Sequence, residues 1–161
     1  MIVVSDTTPL NYMVLINVVD VLPSIFELVY VPPSVMVELT RLKTPELVRD
    51  WAASPPGWLQ VVAPTHRLTS TVSLGDGEAD ALSLAKELQI RDVLIDERRG
   101  RRIAQREGLV PLPTLAVLER AAADGLLNLP ETLGKLQQTN MRVPFDQIEA
   151  ALKRDAARKG K

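Results

Sequence analysis

The chain of 161 residues contains no cysteine. Disulfides, zinc ribbons, iron–sulfur clusters and thiol catalysis are therefore excluded, and a reducing compartment is a natural setting. Histidine is nearly absent as well, with His66 as its single instance. Chemistry that needs two histidines is excluded, and so are metal sites built from imidazoles. Any metal must then be a hard cation held by oxygen, and acid–base work falls to aspartate and glutamate.

Long apolar runs and an excess of one charge are also missing. No segment is apolar over the length that crosses a bilayer, and Met1 to Asp6 lacks the basic stretch of a signal peptide. We therefore expect a cytoplasmic protein with no membrane partner. The net charge is −1, from 19 basic and 20 acidic residues, so a nucleic-acid partner needs a local basic patch.

Short apolar runs alternate with helical patterns up to residue 123. This alternation predicts an α/β fold with three layers, α/β/α, around a mainly parallel central sheet. The predicted strands cover residues 2–4, 28–31, 58–62, 93–95 and 109–112. Beyond them only helical signals occur. We expect an α/β domain over residues 1–125 and a helical C-terminal extension over 126–161, which packs on that domain or dimerises with it.

Threonine and proline predict where several helices begin and end. Thr8 is expected to cap the first helix, with Pro9 at its first position. Pro23 is expected to end that helix after Leu22. Thr114 is expected to cap the helix that follows the last strand.

Two predicted strands each end in an aspartate, Asp6 and Asp96. In open parallel sheets, ligands bind beyond the carboxyl ends of the strands, because loops and helix N-termini converge there. A single aspartate at such a place more often caps the next helix. Two of them together favour a site.

Two glutamates lie on the apolar side of their predicted helices, where a solvated side chain is not expected. Glu38 falls close to the apolar stripe of one helix, and Glu78 falls on the inward side of another, with Asp80 at its margin. Taken singly, each glutamate could reach water from the edge of a packed face. Taken with Asp6 and Asp96, they predict a repelling cluster that a cation offsets, and Mg²⁺ or Mn²⁺ is the natural occupant. Such ions mostly serve phosphate chemistry.

A family resemblance rests on the same residues. The run Asp6-Thr7-Thr8-Pro9-Leu10 resembles the Asp-Thr-Ser opening of PIN domains. The segments around Glu38, at residues 77–81 and at residues 94–101 are similar to later blocks of that family and occur in the same order. The resemblance covers about the first 120 residues. It is nearest to the bacterial and archaeal branch that is related to VapC-type toxins.

The resemblance implies a metal-dependent endoribonuclease that hydrolyses RNA phosphodiesters, often as a homodimer and often as the toxin encoded beside an antitoxin. Its acidic catalytic residues correspond to Asp6, Glu38 and Asp96. The third position of the motif falls on Glu78, which we prefer for its inward angle, or on Asp80. All five carboxylates are expected metal ligands for Mg²⁺ or Mn²⁺.

Substrate contacts are expected from two places. Thr7 and Thr8 keep the hydroxyls of the opening motif. Arg98, Arg102 and Arg106 recur every four residues on one helix face, which suits RNA phosphates. The alternative for this face is a solvated helix whose arginines pair with nearby acidic residues.

Other functional classes fit less well. A phosphatase of the haloacid dehalogenase class needs a second aspartate where Thr8 stands, and a receiver domain needs paired acids with a later lysine. The remaining alternative is a PIN-like fold with weak or no catalysis that serves as an RNA-binding or protein-interaction module. The sequence leaves the kind of RNA open, and DNA also remains open as a substrate.

Overall fold

A parallel sheet of five strands forms the centre of the protein in the computed structural model, which describes residues 1–160. The strands are β1 (Ile2–Ser5), β2 (Leu28–Val31), β3 (Leu59–Val61), β4 (Asp92–Leu94) and β5 (Val110–Leu112). Their order in the sheet is β3-β2-β1-β4-β5, and every neighbouring pair is parallel. The fold class predicted from the sequence is confirmed.

Helices connect the strands and cover both faces of the sheet. In chain order they are α1 (Thr7–Leu15), α2 (Leu22–Ile25), α3 (Pro33–Leu39), α4 (Glu46–Ala53), α5 (Asp76–Leu88), α6 (Arg98–Arg106), α7 (Thr114–Ala123), α8 (Leu129–Gln137) and α9 (Phe145–Lys159). Successive residues of a strand point to opposite faces, so Val3 belongs to one core cluster and Val4 to the other. This double burial explains why the strands read as continuous apolar runs.

The direction of strand addition reverses between β1 and β4. From β1 the chain adds β2 and then β3 on one side of the sheet, whereas β4 and β5 lie on the other side. The Asp6 amide donates to the Leu94 carbonyl at 2.9 Å, so the ends of β1 and β4 lie side by side. Such a reversal leaves a crevice at the carboxyl ends of the strands, where ligands bind in open α/β sheets.

The helices beyond residue 125 pack into the same core as the sheet. Leu129, Leu133 and Ile148 belong to the core cluster that contains Val3 and Leu94. Leu133 is only 1% exposed. One face of the sheet is therefore covered partly by α8 and α9.

The first helix begins and ends where the sequence did not predict. Helix α1 starts at Thr7 with Asp6 at the N-cap position, so the predicted cap at Thr8 is wrong. The helix stops at Leu15, and Asn17 then takes a left-handed conformation with φ of 60°. Pro23 lies in the first turn of α2 and does not end a helix. A proline suits that position because its missing N–H has no partner there in any case.

The predicted cap at Thr114 is also wrong. Pro113 occupies the N-cap position of α7, and Thr114 is its first helical residue. The Thr114 hydroxyl donates to the Asp96 side chain. A contact with a residue distant in sequence has replaced the local capping role.

No single helix among residues 1–160 is long and apolar enough to cross a bilayer. Helix α1 and the segment Val19–Ile25, in which a 3-10 turn (Val19–Val21) runs into α2, have enough length and apolar character when taken together, but they are bent by 116° at their break. Leu10, Met13 and Leu22 of this pair are fully buried in the protein.

The shared core predicts that the C-terminal helices unfold together with the sheet. Leu133→Ala should destabilise the protein by about 2–5 kcal/mol, because it leaves a cavity in that core. Leu39→Ala on α3 is the matched change in the α/β part. Urea unfolding followed by tryptophan fluorescence, which reports Trp51 and Trp58, should coincide with unfolding followed by far-UV circular dichroism in both variants. A Leu133→Ala variant whose fluorescence transition does not move contradicts a single unfolding unit.

Candidate active site

Asp6 and Asp96 lie at the crevice between β1 and β4, and they are held in different ways. Asp6 is buried at the N-cap position of α1, yet its side chain accepts no capping hydrogen bond. Asp96 accepts the Thr114 amide on Oδ1 at 2.8 Å and the Thr114 hydroxyl on Oδ2 at 2.7 Å. Thr114 therefore fixes the Asp96 carboxylate, whereas the Asp6 carboxylate remains available to a ligand.

Glu38 reaches the same place from α3. The Thr7 hydroxyl donates to Glu38 Oε2, and the Gly77 amide donates to Oε1 at 3.3 Å. A Cβ atom on Gly77 would lie 2.9 Å from Glu38 Oε1 and 3.2 Å from Asp6 Oδ1. The absence of a side chain at Gly77 thus allows two carboxylates to approach the start of α5.

Glu78 is the residue after Gly77, and one of its carboxylate oxygens has no hydrogen-bond partner within residues 1–160. Glu78 Oε2 is buried and has no hydrogen-bond partner among the described residues. A Cβ atom on Gly100 would lie 2.7 Å from this oxygen, so the start of α6 also approaches closely because it carries a glycine. Buried carboxylate oxygens are normally satisfied. A proton or a cation is the natural partner for this one.

The carboxylates act on one another as a single electrostatic group. The pKa of Asp6 is raised to about 7, mainly by burial, with a smaller contribution from the charges of Glu38, Asp96 and Glu97 and against a hydrogen bond from the Thr7 backbone, which lowers it. Burial likewise raises the pKa of Glu78 to about 8, with added repulsion from Asp6, Glu97 and Glu38. Burial also raises the pKa of Asp96. The structure thus brings Asp6, Glu38, Glu78 and Asp96 together.

Glu97 is a member of this group that the sequence reasoning missed. Its side chain lies close enough to Glu78 to contribute to the raised pKa of that carboxyl. The signal was its position, because Glu97 follows Asp96 at the end of a buried strand.

Asp80 is placed differently from the other predicted ligands. Its carboxylate pairs with Arg67 at 2.7 Å and accepts the Ser34 hydroxyl at 2.7 Å. Burial favours a higher pKa for Asp80, but the hydrogen bonds from Arg67 and Ser34 outweigh it and lower the pKa. Of the two residues weighed for the third acidic position, Glu78 is the one whose pKa is raised by the charge of Asp6.

The carboxylates suit a hard divalent cation in donor type and charge. Every donor is a carboxylate oxygen, and the buried Glu78 Oε2 lacks a partner. Within residues 1–160, however, no three Asp, Glu or His side chains already form a group that could hold a metal ion. The assignment of Asp6, Glu38, Glu78, Asp80 and Asp96 as ligands for Mg²⁺ or Mn²⁺ therefore stays a prediction.

The predicted arginine face of α6 is exposed. Arg98, Arg102 and Arg106 reach solvent, and none of the three forms an ion pair with the residues that the structure describes. The alternative of a helix with paired arginines is therefore not observed. Arg101 differs from them, because it is half-buried. Its positive charge opposes the rise that burial causes in the pKa of Asp96.

The hydroxyls of the opening motif lie beside the carboxylates. Thr7 holds Glu38, as described above, and Thr8 lines a cavity of about 370 Å³ together with Glu38, Arg41 and Lys43. Both threonines are thus near the place where a substrate would have to lie, and their role in binding it stays a prediction.

Comparison with known protein families gives a match over most of the chain. A family model described as DUF3368, a PIN domain, matches residues 2–156. Neither the curated proteins nor the solved structures gave a match. The matched region includes all five strands and extends into α9.

The raised pKa values predict how stability depends on pH when a chelator is present. The folded protein holds protons on Asp6 and Glu78 up to about 7 and about 8, whereas the ordinary pKa values are 3.8 and 4.5. Because the folded state binds more protons in this window, its free energy of unfolding should fall as the pH rises from about 4 to about 8. Asp6→Asn should flatten this slope, while Asp50→Asn, an exposed control on α4, should not.

Urea unfolding in EDTA at several pH values measures this slope. In a second series without EDTA, added Mn²⁺ should stabilise the parent protein at pH 8 by mass action and stabilise Asp6→Asn less. A flat profile in the parent, or a parent that does not respond to Mn²⁺ or Mg²⁺, contradicts an ion site formed by these carboxylates.

Gly77 offers a test that leaves every carboxylate in place. Gly77→Ala should change the free energy of unfolding by no more than about 1 kcal/mol, because the gain in helix propensity offsets the contact with Glu38. The added methyl should nevertheless weaken the stabilisation by Mn²⁺, since it displaces Glu38 and Asp6. Gly134→Ala on α8 is the matched control, because its Cβ has open space around it. Thermal melts with and without Mn²⁺ measure both effects, and an unchanged response in Gly77→Ala removes this glycine from the site.

Proposed function

The chain belongs to the PIN-domain family, and we propose that it is a metal-dependent endoribonuclease that hydrolyses RNA phosphodiesters. Membership of the family supports a nuclease-type activity. The observation that carries the finer proposal is the group of interacting carboxylates at the crevice between β1 and β4, where Asp6 is buried, Glu38, Glu78 and Asp96 are half-buried, and the pKa values of Asp6 and Glu78 are raised. Such a group is costly to fold unless it has a positively charged ligand.

Asp6, Glu38 and Asp96 are the residues that would hold Mg²⁺ or Mn²⁺ in this proposal. When bound, the ion supplies hydroxide at neutral pH and neutralises charge on the phosphoryl oxygens. Thr114 keeps the Asp96 carboxylate in one orientation, and Thr7 does the same for Glu38. Fixed second partners of this kind orient ligands and tune their basicity.

Glu78 has a separate role in the proposal. Its pKa is raised to about 8, mainly by burial, with contributions from Asp6 and from the neighbouring Glu97. A carboxyl group with such a pKa exchanges protons near neutral pH. Glu78 can therefore take up the proton that water releases or return one to the leaving oxygen.

The biological setting is a further part of the proposal. The motif blocks around Asp6, Glu38, Glu78 and Asp96 resemble those of the branch related to VapC-type toxins. On that basis we propose that the protein acts in the cytoplasm as the toxin of a toxin–antitoxin pair, as a homodimer.

A second candidate function is a PIN-like module that binds RNA or protein with weak or no catalysis. The observation that favours it is the lack, among residues 1–160, of three acidic side chains already grouped for a metal ion. Both oxygens of Asp96 are also occupied by Thr114. The two functions differ in whether RNA is cut.

Cleavage of end-labelled RNA in Mg²⁺ or Mn²⁺ tests the proposal. Asp6→Asn, Glu38→Gln and Asp96→Asn should each lower the rate more than about tenfold, because each removes a charge from the proposed ion site. Glu78→Gln should lower the rate more than Asp80→Asn, its matched control on the same helix. EDTA should stop cleavage, and thermal melts should show that the variants fold.

The outcomes separate the two functions. Full activity in any one variant removes that residue from the site. A folded parent protein that binds RNA but cuts none in either ion contradicts the nuclease and supports the binding module.

A further inference from the structure

A second cavity adjoins the carboxylates on the side of the C-terminal helices. It measures about 260 Å³ and lies between the start of α6, the start of α7 and the segment from residue 141 to 147. Asp96 lines it, so the cavity and the proposed ion site share a wall. Three arginines line it too: Arg98 and Arg101 from α6 and Arg142 from the segment that precedes α9.

The acidic side chains of this cavity already have partners. Glu119 forms a two-point pair with Arg154, at 2.8 and 2.9 Å. Both oxygens of Asp96 accept hydrogen bonds from Thr114. Neither carboxylate forms a direct hydrogen bond with Arg98, Arg101 or Arg142.

The three arginines that line the cavity, in contrast, have no acidic partner among the described residues. Arg98, Arg101 and Arg142 form no ion pair with any residue from 1 to 160. The Nε atom of Arg101 is buried and has no hydrogen-bond partner in that part of the chain. A buried donor without a partner is costly, and guanidinium groups bind phosphate oxygens through two parallel hydrogen bonds.

The segment that carries Arg142 is held in place by the rest of the fold. The Tyr12 hydroxyl on α1 donates to Asn140 Oδ1 at 2.6 Å. Met141 and Val143, on either side of Arg142, pack against the main core cluster. The position of Arg142 beside the site is therefore a consequence of packing on the sheet domain.

We propose that this cavity binds a backbone phosphate of the RNA next to the phosphate that is cleaved. The inference rests on the proposed function, because it assumes an RNA substrate. Arg101 and Arg142 bind this phosphate, and the C-terminal extension therefore supplies part of the substrate site through Arg142. This placement differs from the exposed face expected from the sequence, since Arg102 and Arg106 do not line the cavity.

Binding to an oligoribonucleotide that the parent protein cleaves tests the proposal. Fluorescence anisotropy in EDTA, at several salt concentrations, measures affinity without cleavage. Arg101→Gln with Arg142→Gln should weaken binding about tenfold or more and lower the salt slope by about two, because two phosphate contacts are lost. Arg91→Gln with Arg120→Gln removes the same charge beside the first residues of β4 and β5, at the ends of these strands away from the carboxylates, and should have little effect.

Uncharged methylphosphonates, placed at one position of the RNA after another, identify the phosphate that is bound. The parent should lose affinity about tenfold at a position adjacent to the cleaved bond. The Arg101→Gln/Arg142→Gln variant should lose nothing further at that position and should respond as the parent does elsewhere. Arg142→Gln alone, at an exposed residue, should show part of this loss with an unchanged thermal melt, which separates phosphate binding from a folding defect.

Three results overturn the proposal. An Arg101→Gln/Arg142→Gln variant that binds and cleaves as the parent does rejects this cavity and leaves the nuclease intact. A loss of affinity in Arg102→Gln with Arg106→Gln instead moves the phosphate to the exposed face of α6. A parent protein that neither binds nor cleaves RNA rejects the cavity and the proposed function together.

Discussion

The removal of acidic side chains from water at one place in the fold, where they also repel one another, is the constraint on which the rest of the structure depends. Burial and neighbouring charge raise the pKa of Asp6 to about 7 and that of Glu78 to about 8. A fold that keeps these carboxylates in place needs a rigid backbone beneath them and helices that can approach them closely. The parallel sheet supplies the rigid backbone, because the Asp6 amide is hydrogen-bonded to the end of β4. Gly77 and Gly100 permit the approach, since a Cβ at either position would meet a carboxylate oxygen.

The helical extension belongs to the same arrangement. Leu133 and Ile148 complete the core cluster that contains Val3, so α8 and α9 cover one face of the sheet. The same packing places Arg142 against the cavity that Asp96 lines. The match of the family model to residues 2–156 agrees with a unit that includes these helices. The proposed substrate site thus depends on core packing.

Two sets of arginines on one helix illustrate how packing separates residues of the same type. Arg102 and Arg106 point to solvent, where an arginine loses little and gains little. Arg101 is half-buried beside Asp96, with its Nε atom left without a partner among the described residues. In such surroundings a guanidinium interacts more strongly with an anion, because less water screens it. The proposed role of Arg101 follows from its surroundings and not from its chemistry alone.

The sequence by itself determined the strands, the parallel sheet and the positions of Asp6 and Asp96, because local periodicity reports which residues are buried and where strands end. It also indicated Glu38 and Glu78 through their angles on apolar helix faces. Only the tertiary structure decided that Thr114 binds Asp96, that Glu97 approaches Glu78 and that Arg101 and Arg142 share a cavity. These contacts join elements that are distant in the chain or depend on the direction of one side chain. Local patterns carry no information about such contacts, because the packing of whole elements against one another sets their distances.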